Sequence, residues 1–348
     1  MRNADRVPAL DGIRGLAATL VLIRHCTGHG LFVPHSADDL GDVGVAVFFT
    51  LSGFLMSHLY GDAEFNFQSV KGYMVSRAAR IAPLYLAVVV VSYFVTTVIG
   101  PTFIYHLDNS NILRHLFFMG NVDVFWTIPP ECQFYAFFIL IWWGFNSLLK
   151  GRFGPILIVF AMSLGMLLIG PFVAGTLLPS KCSFFLAGTL AGYGRKFLPK
   201  FTLSKGVMTA VELPIVMVVI FYPRIIAFLI HQIGTSYLFG MDVYNSPICA
   251  PIVAVAILVF SNGAGFVSSL LSVRMIRLLG QWSFSLYLLH DVIVDFIGYI
   301  VSVGSLNPWV AGCLAVVSSV AISRASYKYI EMPLQNLTRN SLSNVARA

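Results

Sequence analysis

Apolar residues run along this chain in blocks of roughly 20, about the length a helix needs to cross about 30 Å of hydrocarbon. Ten such blocks are predicted, at roughly 10–32, 42–60, 81–100, 130–149, 154–173, 180–194, 207–223, 246–262, 276–300 and 307–329. The sixth is short, and the stretch 224–240 is ambiguous between an interfacial, a re-entrant and a spanning helix. The polar positions inside the blocks are few. Leu10 to Phe32 carries Arg14, Arg24 and His25. An ionisable side chain at membrane depth costs about 2.5–3.5 kcal/mol, so by default it marks a functional site. Arg14 and His25 are eleven residues apart, about three turns, which predicts one helix face with the two groups about 16 Å apart along the axis. The bland alternative is an arginine that snorkels and a histidine hydrogen-bonded inside the bundle.

Composition agrees with a bilayer setting. The chain is 57% hydrophobic and 11% charged, where a soluble domain carries about 25% charge, and its mean hydropathy is +0.82. No stretch between blocks exceeds about 30 residues, so no soluble domain is evident. With the N-terminus cytoplasmic, 18 of the 22 Lys and Arg residues fall on the inner side and four on the outer. That bias follows the positive-inside rule and predicts an even number of spans. The expectation is an all-α polytopic helix bundle of about ten transmembrane helices with both termini cytoplasmic. It is read as one domain over 1–348, with a core of about 7–332 and a cytoplasmic tail at 333–348. The net charge of +7 is a topology signal and needs no nucleic-acid partner. The five cysteines are scattered, with no CxxC and no metal-like pairing with histidine, so no zinc site or disulfide framework is indicated. A Cys132–Cys182 bridge is conceivable, since both fall near expected outer helix ends.

Topology then sorts the candidate chemistry. Arg14 is expected near the cytoplasmic end of the first span and His25 in its outer half. Arg77 and Arg80 are expected in the cytoplasmic loop before span three, with Pro83 in that helix's first turn. Their i, i+3 spacing suits forked contacts to phosphate oxygens, and equally suits lipid headgroups. Glu131, after Pro129 and Pro130, either compensates the helix dipole or orients His25 as the acid of a histidine base. His290, Asp291 and Asp295 fall in the outer half of span nine. The first two point about 100° apart, so they are not expected to face one pocket centre together. Asp11 is expected to cap the first helix, and Glu212 to be held by a structural hydrogen bond.

Several of these residues fall in ordered motifs. The chain resembles the integral-membrane acyltransferase family 3 along nearly its whole length. Leu10-Asp11-Gly12-Ile13-Arg14-Gly15 followed by His25 resembles that family's Arg/Lys-x10-His signature, and Phe48 to Phe54 its second-span motif. Arg77-x-x-Arg80 matches its Arg-x-x-Arg, and Trp126 to Tyr135 its Trp-Ser-Leu-x-x-Glu-Glu-x-Phe-Tyr block. Arg277-Leu278-Leu279-Gly280 with Ser283, Tyr287 and His290 resembles its late Arg-x-Leu-Gly…Tyr-Leu-x-His stretch. Two departures stand out: the family's second Glu is Cys132 here and its Ser is Thr127. The hydrolase-like domain fused to some relatives is not seen either, which leaves the membrane domain to complete the reaction alone or with a partner.

The resemblance implies transfer of an acyl group, most often acetyl, from cytoplasmic acyl-CoA to a hydroxyl of an envelope glycan. His25 would be the base, oriented by Glu131, and Arg14, Arg77 and Arg80 would bind the CoA phosphates. Trp126, Tyr135, Tyr287 and His290 would contact substrate or support the site. Direct transfer and an acyl-enzyme both stay open, with Ser52, Cys132 or His25 as carrier. Acyl-CoA enters as co-substrate, with no permanently bound cofactor and no metal. The implied partners are the lipid bilayer, a glycan or glycolipid acceptor such as exopolysaccharide, O-antigen or lipo-oligosaccharide, and envelope-polysaccharide assembly proteins. The implied location is the bacterial cytoplasmic membrane. The alternative is a glycan or lipid transporter, or an acyl carrier without its own transferase activity.

Overall fold

The computed structural model describes residues 7–33, 37–100, 102–197, 203–233, 243–244, 246, 248–263, 265–304 and 306–345. Among them there are helices and turns and no strand. The helices are α1 (Pro8–Gly28), α2 (Asp38–Tyr60), α3 (Phe67–Ile99), α4 (Ile112–Leu116), α5 (Ile128–Leu149), α6 (Gly154–Ile169) and α7 (Cys182–Phe197). They continue as α8 (Lys205–Ile233), α9 (Cys249–Phe260), α10 (Phe266–Leu271), α11 (Arg274–Ser302), α12 (Pro308–Ser326) and α13 (Met332–Val345). All ten apolar blocks fall on helices. Seven of those helices are long and apolar enough to cross a membrane by length and composition. The other three are α1, which Asp11, Arg14 and Arg24 make more polar, and the short α7 and α9, of 16 and 12 residues.

Several boundaries differ from expectation. The third helix starts at Phe67, where the Asn66 side chain accepts from the Ser69 N–H at 2.9 Å. Arg77 and Arg80 are therefore helical and not in a loop, and Pro83 lies inside α3 instead of in its first turn. Hydropathy misses the opening turns of α3 because they are polar. With 33 residues, α3 is about 50 Å long, more than a bilayer core requires, so a polar end is no obstacle. Asp11 lies in the first turn of α1, where it complements the dipole, and Pro8 starts the helix. α8 continues through Pro214 and Pro223 to Ile233, while 234–240 lie outside the described residues. The five cysteines are free. The stretch read as a tail is mostly helical, and α13 packs along α3.

The chain forms two compact units. The first comprises Met1–Val21, Asp39–Ala63 and Leu140–Gln281; the second comprises Leu22–Asp38, Glu64–Ile139 and Trp282–Ala348. In the first, α2 and α7 meet through small residues. A Cβ on Gly188 or Gly192 would overlap the carbonyls of Thr50 or Phe54, so the backbones approach as in small-xxx-small membrane packing. Glu212 on α8 is fully buried and has the partners its burial requires. Its carboxylate accepts from the N–H groups of Gly265, Val267 and Ser268 at 3.1, 2.8 and 3.2 Å, and from the Ser268 hydroxyl. It thereby closes the start of α10.

In the second unit, buried tyrosines tie α3 to α5 and the segment after α3 to the helices. Tyr85 donates to the His115 carbonyl at 3.0 Å, Tyr105 to the Leu288 carbonyl at 3.1 Å, and Tyr73 to the Tyr135 carbonyl at 2.9 Å. Each ring fills apolar volume while its hydroxyl satisfies a carbonyl.

Glu212→Ala should lower the thermal unfolding midpoint, because it strands the donors that meet this carboxylate at a cost of about 1–3 kcal/mol. Glu212→Gln, whose amide oxygen still accepts, should recover part of the loss. An unchanged midpoint for Glu212→Ala in detergent would show that these bonds do not hold α10.

Candidate active site

α1 ends at Gly28, with His25 in its last turn. The Leu31 N–H reaches the Cys26 carbonyl at 2.9 Å. Gly30 stands at φ 78° within this closure, a left-handed conformation that a side chain would strain. That end presents His25 to α11. Its Nδ1 lies 2.7 Å from Asp291 Oδ1, with Asp291 fully buried and the His25 side chain 19% exposed. A carboxylate at this distance favours the proton on Nδ1, and in the neutral imidazole Nε2 then keeps the lone pair.

His290 packs edge-on against the His25 ring, with centroids 4.8 Å apart. Both sequence neighbours therefore reach His25, against expectation. Their angular divergence excludes a shared point, but an imidazole is wide enough to take a carboxylate on its edge and a ring on its side. His290 Nδ1 faces the Leu286 and Tyr287 carbonyls at 3.0 and 2.9 Å, which makes it the protonated nitrogen. Its buried Nε2 has no hydrogen-bond partner among the described residues.

Asp123 lies beside Asp291 and completes this cluster. It opens a tight turn over Asp123–Thr127. Its φ is 44°, in a region that Asp tolerates better than most residues. Tyr287, one turn before Asp291, donates to the Val124 carbonyl at 3.0 Å and accepts from Thr127 Oγ1 at 3.0 Å, pinning that turn to α11. Trp126 lies in the same turn, partly exposed.

A second group of predicted residues gathers on α3 and α5. Tyr135 donates to Glu131 Oε1 at 2.6 Å, one turn away on α5. The Arg77 guanidinium lies over the Tyr135 ring, 5.9 Å from its centroid, a cation–π arrangement. Both Arg77 and Arg80 are in electrostatic reach of that tyrosine. Arg77 is buried and Arg80 half-buried. Glu131 is also in electrostatic reach of Tyr287. The arginine pair, Tyr135, Glu131 and Tyr287 thus lie in the second unit together with Asp123, Asp291 and His25. Arg14 lies in the first unit, half-buried.

The acid on His25 Nδ1 is Asp291, whereas sequence reasoning had singled out Glu131 for that task. Asp123 and His29 were missed as well. The available signal was that Tyr287 and Asp291 stand at i, i+4, on one face of α11.

This is a multi-pass membrane protein whose polar centre is a histidine held by a buried carboxylate. The sequence profile of the family described as "Acyltransferase domain" matches residues 7–327, and the chain belongs to that family. It is 24% identical to the O-acetyltransferase OatA of Staphylococcus aureus strain NCTC 8325, over 96% of this chain and 58% of that protein. It is also 24% identical to the peptidoglycan O-acetyltransferase OatA of Listeria monocytogenes, over 94% of this chain and 56% of that one. The chain therefore spans a little over half the length of these relatives. No solved structure matches it.

The loop leading to Asp123 depends on His115, which is buried under it. His115 Nδ1 faces the Asn111 carbonyl at 3.0 Å, and Nε2 accepts from the Val122 N–H at 3.3 Å. Burial holds this imidazole below the ordinary histidine range. The unfolded loop therefore takes up a proton first as pH falls. The stabilisation is complete above about pH 6.5 and is lost on going below it. The hydrogen-exchange protection factor at Val122 should fall below that pH in the wild type and change much less in His115→Gln. Equal pH dependence in both proteins would remove His115 from this role.

Proposed function

We propose that this chain is an O-acetyltransferase of the bacterial cytoplasmic membrane. It moves acetyl from cytoplasmic acetyl-CoA to a hydroxyl of an extracytoplasmic or lipid-linked envelope glycan. Family membership supports the reaction type, and the names of the relatives support acetyl as the group and a glycan as the acceptor; peptidoglycan, the acceptor named for one of them, is one member of that class. The observation that carries the reading is the 2.7 Å contact between His25 Nδ1 and the buried Asp291.

That contact makes His25 Nε2 the base. The acceptor hydroxyl gives its proton to Nε2 as its oxygen bonds to the thioester carbonyl carbon. When the C–S bond breaks, the Nε2 proton passes to the departing thiolate, and the products are the ester and free CoA. Asp291 fixes the tautomer and stabilises the imidazolium between the two steps. Such a base contributes about 10²–10⁴-fold. Asp123, beside Asp291, is a positioning residue.

Arg77 and Arg80 neutralise CoA phosphates in this reading, with Arg14 as a third cation. Stacking on Tyr135 gives Arg77 a fixed plane. Glu131 holds the Tyr135 hydroxyl, and Trp126, Tyr287 and His290 line or support the path of the acyl arm. Acetyl-CoA is a co-substrate, and no resident cofactor is required.

In membranes supplied with labelled acetyl-CoA and extracted glycan, His25→Ala should lower transfer by about 10³-fold or more at equal protein level. Asp291→Asn should lose about 10²–10⁴-fold, since an amide can leave the wrong tautomer in place. Arg80→Gln should raise KM for acetyl-CoA about tenfold, with the acceptor KM unchanged. Wild-type turnover by His25→Ala would end this account of the chemistry.

A further inference from the structure

His29 takes no part in that reaction, yet it stands in the same cluster. Its N–H donates to the His25 carbonyl at 3.0 Å, so the two imidazoles leave the end of α1 one turn apart and on one side. His29 Nε2 lies 3.7 Å from Asp291 Oδ1, the oxygen that also meets His25 Nδ1. The three donor atoms lie within 4.8 Å of one another. On its other side, His29 Nδ1 lies 3.6 Å from Oδ1 of Asp295, one turn after Asp291 on α11. Asp291 is buried, the His29 side chain is 27% exposed and Asp295 is 42% exposed, so the cluster opens in one direction.

These separations of 3.7 and 3.6 Å are too long for hydrogen bonds, so hydrogen bonding does not account for His29. Metal–ligand bonds of about 2.0–2.2 Å put donor atoms of a tetrahedral site roughly 3.3–3.5 Å apart. The contacts to Asp291 Oδ1, at 2.7 and 3.7 Å, bracket that separation. Two imidazoles and a carboxylate, with a second carboxylate behind one imidazole, match the ligands and outer shell of zinc-class sites. Imidazole donors favour such an ion over calcium or magnesium. The carbonyl end of α1 adds a field that favours a cation.

We propose that His25, His29 and Asp291 bind one divalent transition-metal ion of the zinc class, with Asp295 orienting His29, and that the bound ion switches off His25. Coordination uses the Nδ1 lone pair, so the Nδ1 proton leaves and Nε2 takes one up. Nε2 then has no lone pair to accept a proton from a hydroxyl. The loss of activity rests on the proposed role of His25 in acyl transfer; the binding itself does not.

The test uses the purified full chain in nanodiscs, incubated with equimolar zinc or cobalt(II) and gel-filtered. The wild type should retain about one ion per chain and give the visible bands of cobalt bound to nitrogen and oxygen. His29→Ala and His29→Gln should both weaken binding at least tenfold, and Asp295→Asn about tenfold. Zinc should inhibit wild-type transfer reversibly on chelation, whereas His29→Ala should keep basal activity and resist zinc. No retained ion in the wild type, or retention in both His29 variants equal to that of the wild type, would overturn the site. Binding that depends on His29 but leaves transfer unaffected by zinc would overturn the inhibition alone. If the wild type shows no transfer under any condition, the acyltransferase reading fails while the binding result stands.

Discussion

Asp291 has no exposed surface, and a carboxylate so placed persists only where other groups replace its water. His25 stands 2.7 Å from it with His290 and Asp123 beside the pair, and the backbone serves the arrangement. The Gly30 closure ends α1 at the right height, and Asp123, at its positive φ, opens a turn that Tyr287 and Thr127 hold against α11. Removing one partner from a buried ion pair costs about 3–5 kcal/mol, so the cluster is a constraint on the fold as well as a reactive centre.

The same economy governs the rest of the molecule. Many backbone and buried polar groups that lipid cannot satisfy are paired internally, as by tyrosine hydroxyls on carbonyls in the second unit and by Glu212 on amides in the first. Where two helices must come close, glycine removes the side chain that would prevent it. Long apolar faces of α6 and α8 remain exposed, as suits a chain whose solvent on those faces is hydrocarbon.

The helices were legible in the sequence because hydrocarbon thickness sets their length, and all ten blocks fell on helices. The start of α3 was not, since its first turns are polar and only the Asn66 cap marks them. Glu212 could be assigned a structural bond from its type and depth, but its partners lie far along the chain, at separations no spacing rule encodes. The same limit explains Glu131 and Asp291. Glu131 lies in the first turn of α5 and Asp291 well inside α11, and which one meets His25 depends on which helices are neighbours. The motif order pointed to Glu131, whereas the packing put Asp291 on the ring. Arg77, Arg80 and Tyr135 do come together because two motifs happen to lie on helices that pack.

If His25 and Asp291 act as one unit, their substitutions must not add. A double-mutant cycle on kcat/KM tests this most directly, comparing His25→Ala, Asp291→Asn and the double variant in one preparation. With Asp291 working through His25, the double variant is no slower than His25→Ala alone. If the two losses multiply, the residues act independently and the pair is not the catalytic unit.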